Sequence, residues 1–157
     1  MADTTHIDDA PMSRAAELVA ELHRVIDELQ SVDLGPCSDT ELVEVAADTE
    51  KAIARLTYTG DRQLVTIADR DLPHRTGYRS ITAFMTHRLR VSDPMRRNNQ
   101  RDATATHLTH TGELLAPEHP SLASALADGR VGTSHVRAVI DVLDQIPHTI
   151  EHDVRAA

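Results

Sequence analysis

The chain has 157 residues, enough for one domain with its own core, and its aromatic side chains are only Tyr58, Tyr78 and Phe84. A core built from Ala, Val, Leu and Ile argues against an all-β sandwich or barrel and predicts an all-α fold. The formal net charge of −9 is unevenly spread: residues 72–101 sum to +6, against −10 for residues 1–71 and −5 for residues 102–157.

Residues 1–12 show no periodicity and read as a disordered leader, and residues 13–157 as a single irregular helical domain of about six helices, incomplete at its C-terminus. Ser13 is a helix N-cap, followed by Leu18, Leu22, Val25, Ile26 and Leu29 at three- and four-residue spacing, an amphipathic helix to about Val32. Asp33 to Cys37 is a turn. Ser38 with Glu41 forms a capping-box pattern, and Leu42, Val45, Ala46, Ile53 and Leu56 carry a long second helix. Tyr58, Thr59 and Gly60 interrupt this stripe before Leu64 and Ile67 resume it, an interruption that allows a kink without requiring the helix to end; the stretch 64–67 has no partner as a lone strand. Leu72 to Gly77 reads as a loop. Ser80 caps a short helix with Ile81, Phe84, Met85 and Leu89 inward, and a tight turn Val91 to Asp93 follows, with Ser92 as N-cap and Pro94 in the first helical turn. The segment Met95 to Leu108 has so few apolar positions that it reads as a helix outside the core. Beyond a loop, a helix Ser121 to Asp128 ends at Gly129, and Thr133 or Ser134 caps a last helix with Val136, Val139, Ile140 and Leu143 inward, closed by Pro147.

The pair of helices from Ser80 to Leu108, joined by a short turn, has the spacing of a helix-turn-helix, whose second helix enters the major groove of DNA. That second helix begins Arg96, Arg97, Asn98, Asn99, Gln100, Arg101, residue types suited to guanine edges, adenine edges and phosphates. Arg88, Arg90, Arg96, Arg97, Asn98, Gln100 and Arg101 are thus the candidate nucleic-acid contacts, with double-stranded DNA as the partner; the bland alternative is an Arg-rich surface helix. A second pair, Leu122 to Leu143, reads as a packed hairpin. His148, Glu151 and His152 spell the inverted zinc-protease pattern, but no strong third ligand follows, and His107 with His110 is a bare pair. No cofactor and no metal site is expected, and no catalytic motif is present. The single cysteine, Cys37, reads as a bystander thiol. With no run of eighteen apolar residues and an acidic, polar N-terminus, neither a membrane span nor a signal peptide is expected, and the cytoplasm is the default compartment.

The block Gly77, Tyr78, Arg79, Ser80, Ile81, Thr82, Ala83, Phe84, followed by Arg88, Leu89, Arg90, Val91, Ser92, resembles the actinobacterial 13E12 repeat family. A second block, Ala127, Asp128, Gly129, Arg130, Val131, then His135, Val136, Arg137, Ile140 and Ile146, Pro147, strengthens the likeness. Members pair an N-terminal helical domain of unknown function with a C-terminal HNH nuclease motif, so the resemblance implies association with mobile or repeated DNA. Two features depart from the family: Phe84 stands where members usually have Trp, and Asn98, Asn99 and Gln100 occupy a normally Ala- and Leu-rich stretch. No HNH residues are present, so no nuclease role is carried over, and the chain reads as truncated before that motif, either a short member or a decayed fragment. The rival expectation is a protein-interaction module, a homo-oligomer formed through its acidic first two helices, whose apolar stripe from Leu42 to Ile67 exceeds what a short domain covers.

Overall fold

The computed structural model describes residues 12–108 and 111–145. Among these the fold is all-α, with seven helices and one two-stranded hairpin. The chain divides into two compact units, Met1–Leu42 and Val43–Ala157. The inverted zinc-protease pattern, Pro147 and His110 lie outside the described residues.

In the first unit, helix α1 (Arg14–Ser31) starts where the sequence places it: the Ser13 hydroxyl accepts the Ala16 N–H at 3.3 Å. Ser38 likewise accepts the Glu41 N–H at 3.3 Å and opens α2 (Asp39–Asp69). These caps satisfy donors that the first helical turn leaves without partners.

In the second unit, α2 runs through the Tyr58–Gly60 interruption and through residues 64–67 as one helix, with Ala54, Asp61, Leu64 and Val65 buried. Gly60 has a tertiary reason to be small, since a Cβ there would lie 2.9 Å from Arg97 Nη2. The expected loop after α2 holds a helical turn, α3 (Leu72–Arg75), with Pro73 in its opening positions, where no N–H is needed. Helix α4 (Ile81–His87) begins at Ser80, whose Oγ accepts the Ala83 N–H at 3.1 Å. It buries Phe84 and Met85, and Tyr78 meets the Phe84 ring edge-on at 5.3 Å.

The expected three-residue turn is instead a connection over residues 88–93. Arg90 takes a left-handed φ of 58°, and the Val91 N–H returns to the Met85 carbonyl at 3.0 Å, so Leu89 leaves the helix and is exposed. The cap of α5 (Pro94–Thr104) is Asp93 rather than Ser92; its Oδ1 accepts the Arg96 N–H at 3.2 Å. Helix α5 stops at Thr104, short of the expected Leu108, because His107–Leu108 forms β1 and pairs antiparallel with β2 (Leu114–Leu115).

Helices α6 (Pro120–Ala127) and α7 (Thr133–Leu143) complete the unit. Helix α6 ends in a Schellman motif: Gly129, at φ +71°, donates to the Leu126 carbonyl at 3.0 Å and Arg130 to Ala125 at 2.8 Å. Helix α7 is entered from Gly132 with no side-chain cap, not from Thr133 or Ser134. Val136 and Ile140 face inward as expected, whereas Val139 is exposed. Ala54, Ala103, Leu126, Val136 and Ile140 form the core, flanked by Tyr58, Leu122 and Val131, so α2, α5, α6 and α7 converge on it. Alanines at two of these five positions let the helix backbones approach closely.

Candidate nucleic-acid interface

Helix α5 is central to the second unit, which corrects its reading as a helix outside the core. It packs against α4, α6 and α7 and buries Gln100, Arg101, Ala103 and Thr104. Arg97, Gln100, Arg101 and Thr104 recur at i, i+3, i+4 and i+7, the spacing of a core-facing stripe, although all four are polar. Such a stripe carries no apolar periodicity, because the inward face is satisfied by hydrogen bonds and charge rather than by apolar contact.

Its partner is Asp61 on α2, which has no exposed surface. Gln100 Nε2 donates to Asp61 Oδ2 at 2.7 Å, and Arg97 Nε lies 2.7 Å from Oδ1 in an ion pair whose N–H is not aligned with that oxygen. Arg97 Nη2 also donates to the Thr57 carbonyl at 2.9 Å, the contact that keeps position 60 free of a side chain. Burial raises the Asp61 carboxyl above its ordinary value, against the opposing pull of Arg97, Gln100 and Arg101. Around this pair the Thr104 hydroxyl donates to the Gln100 carbonyl at 2.8 Å, and the His119 N–H ties the entry of α6 to the Ala103 carbonyl at 2.9 Å.

The seven candidate contacts therefore divide into two groups. Arg97, Asn98, Gln100 and Arg101 are engaged within the unit: Asn98 Nδ2 donates to Asp102 at 2.8 Å, and Arg101 Nε donates to the same carboxylate at 2.9 Å. Arg88, Arg90 and Arg96 are exposed, with Arg96 Nε 3.5 Å from Asp93. Arg70, Arg75 and Arg79 join the exposed group and, like Arg88 and Arg90, have no carboxylate partner among the described residues. Five uncompensated guanidinium groups thus fall between residues 70 and 90: Arg70 just after α2, Arg75 at the end of α3, Arg79 before α4, Arg88 at the C-cap of α4 and Arg90 in the loop beyond it. Arg75 and Arg79 lie within the basic stretch of residues 72–101 but outside the helix pair whose spacing singled out the seven candidates.

One carboxylate in this stretch, Asp71, is held by His74, whose Nδ1 lies 2.5 Å from Asp71 Oδ1 and whose Nε2 lies 3.0 Å from the Arg79 carbonyl. The bond to Asp71, then that to the Arg79 backbone, raises the imidazole above its ordinary value.

Elsewhere, a groove of about 570 Å³ lies between α2 and the hairpin, where Tyr58, Arg62, Gln63, Thr66, Asp69 and Leu114 mix hydroxyl, amide and charge without a paired nucleophile and base. Among the described residues there is no group of three metal-ligating side chains, and no helix is long and apolar enough to cross a membrane. No curated protein and no solved structure is similar enough to match this chain. Residues 43–157, which contain α4, the Schellman turn and the arginine-bearing segment, match a family described as "Domain of unknown function (DUF222)", and the chain belongs to that family.

Proposed function

We propose that the protein binds double-stranded DNA without cleaving it, through Arg70, Arg75, Arg79, Arg88, Arg90 and Arg96, and that it is an N-terminal helical domain of the HNH-associated 13E12 repeat type. The observation that carries this reading is the set of five exposed guanidinium groups between residues 70 and 90 with no carboxylate partner among the described residues. Cations without internal partners are free to displace condensed counterions from phosphates. Arg90 adds support, because a left-handed φ of 58° is costly for a side chain other than glycine and recurs at binding sites. The aromatic side chains favour a duplex over a single strand: Phe84 is buried, Tyr78 packs against it and Tyr58 packs on the core, which leaves no aromatic platform for an unpaired base. Arg97, Asn98, Gln100 and Arg101 then serve to hold α5 in place rather than to read bases.

Fluorescence anisotropy of a labelled duplex across a salt series tests this. The variant Arg75→Gln/Arg79→Gln/Arg88→Gln/Arg90→Gln is expected to lose at least about 100-fold in affinity at low salt and to flatten the salt slope by roughly three, as for the loss of several phosphate contacts. Its melting temperature should stay near that of the wild type, since all four side chains are exposed. Unchanged binding by this variant rejects the assignment.

A second reading, self-association, is favoured by a separate observation. Helix α1 buries none of its residues, although Leu18, Leu22, Val25 and Leu29, continued by its C-cap Val32, alternate at four- and three-residue spacing, the seam of a coiled coil. Light scattering is expected to give a dimer or higher oligomer that Leu22→Asp/Leu29→Asp converts to a monomer; a monomeric wild type at high concentration excludes it.

A further inference from the structure

We propose that His74 is a proton-operated latch on the basic segment, closed when both ring nitrogens carry hydrogen and weakening the grip on duplex phosphates when one is lost. The inference rests on the DNA-binding reading above. Both groups facing the ring are acceptors: the Asp71 carboxylate at Nδ1 and the Arg79 carbonyl at Nε2. A neutral imidazole has one N–H, so it leaves one of these oxygens against a nitrogen lone pair, whereas the imidazolium donates to both. Two acceptors within hydrogen-bond distance of the two ring nitrogens suit the charged form.

The position of the ring makes the proton consequential. Asp71 sits in a left-handed conformation, φ 51°, immediately before α3, and Arg79 precedes Ser80, the cap of α4. The ring thus ties the start of α3 to the entry of α4 and brackets Arg75 and Arg79. Backbone bonds from Gly77 to the His74 carbonyl and from Tyr78 to the Pro73 carbonyl hold the rest of the loop, and Tyr78 is anchored on Phe84. Loss of the proton therefore frees the Arg79 end without unfolding the segment, and removes one positive charge from its centre. The other charged groups on these elements are Asp69 at the end of α2, Arg70 just beyond it, Arg75 on α3, Arg79, and His87 and the C-cap Arg88 of α4, which packs against α3. Among the described residues only Asp71 pairs with the ring.

Phosphates bound beside His74 favour the same proton, and the coupling is reciprocal: whatever proton uptake strengthens, DNA binding returns as a higher affinity for the proton. Affinity is then highest at acid pH, where the ring is charged in free and bound protein, and falls as pH rises through the folded-state value, which lies above 6.5.

The test is duplex anisotropy at constant ionic strength from about pH 5.5 to 8.5, with NMR titration of the histidine rings and backbone amides of the same protein without DNA. The wild type is expected to lose several-fold in affinity across this range. His74→Gln should be nearly independent of pH and close to the alkaline wild type, and Asp71→Asn should keep the profile but move its midpoint to lower pH, a shift that a purely structural role would not produce. Equal pH dependence in wild type and His74→Gln overturns the proposal. If neither protein binds duplex at any pH, the DNA-binding reading falls, and with it the latch's effect on affinity. The NMR titration then decides the latch itself: a His74 midpoint above 6.5 with the amides of residues 76–80 shifting in step sustains it, and an ordinary midpoint with unmoved amides overturns it.

Discussion

Replacing Asp61 by Ala is expected to destabilise the second unit by about 3–5 kcal/mol, the usual cost of removing one partner of a buried ion pair. The loss comes mainly from what is left behind. Arg97, with 20% of its side chain exposed, keeps its bond to the Thr57 carbonyl but loses its counter-charge, and Gln100, with no exposure, loses the acceptor of its amide. Gln100 Oε1 and Arg101 Nη1 are already buried without hydrogen-bond partners, so the site has little reserve to absorb another unpaired group. Asp61→Asn should cost less, because it preserves volume and an acceptor for Gln100. The double variant Asp61→Ala/Arg97→Ala should cost less than the sum of the two single changes. Chemical denaturation of the four proteins checks the set, and additive losses would show that Asp61 and Arg97 do not act as a pair.

The same carboxyl carries a pH signature. Burial outweighs Arg97 and raises it above 3.8, so the folded protein holds this proton at pH values where the unfolded chain has released it. Its contribution to stability is therefore fullest below that value and declines as pH rises through the folded one, a dependence that Asp61→Asn should remove.

Gly129→Val is expected to cost about 2–5 kcal/mol, combining the left-handed penalty of roughly 1–2 kcal/mol with about 1–3 kcal/mol of overpacking. A Cβ at this position would stand 2.5 Å from Lys51 Cγ and 2.7 Å from the Lys51 carbonyl oxygen. The lysine side chain can turn away; the α2 backbone cannot. Gly77, also at positive φ (+87°), has nothing within 4 Å of its Cβ position, so Gly77→Ala should show the conformational penalty alone. Comparing the two melting temperatures separates strain from contact, and equal losses would mean that the turn conformation, not the approach to α2, decides the effect.

The sequence by itself determined where helices begin and which class of fold they make. Ser13, Ser38 and Ser80 each cap the helix that the sequence begins there, because an N-cap bond spans only three residues and needs nothing distant. Gly129 was equally legible as a helix stop, since Schellman bonds are local. The apolar stripes placed Val136 and Ile140 inside correctly. The concentration of arginine in the middle of the chain was also visible, as a regional charge that needs no coordinates.

Only the tertiary structure decided which of those arginines are free. Arg96 and Arg97 are neighbours of the same type, yet one is exposed and the other is drawn to Asp61, separated from it by 36 positions in the chain. Nothing local to Arg97 announces that pairing, because a polar residue at an inward helical position looks like any surface residue until its partner is in place. Gly60 has the same cause: it reads as a weak point in a long helix, and the reason for its size is the Arg97 guanidinium. Caps, turns and apolar periodicity act over a few residues and are written in order along the chain, whereas a buried polar pair between two helices depends on their packing, and here that packing separates the arginines that hold the fold from those left exposed to solvent.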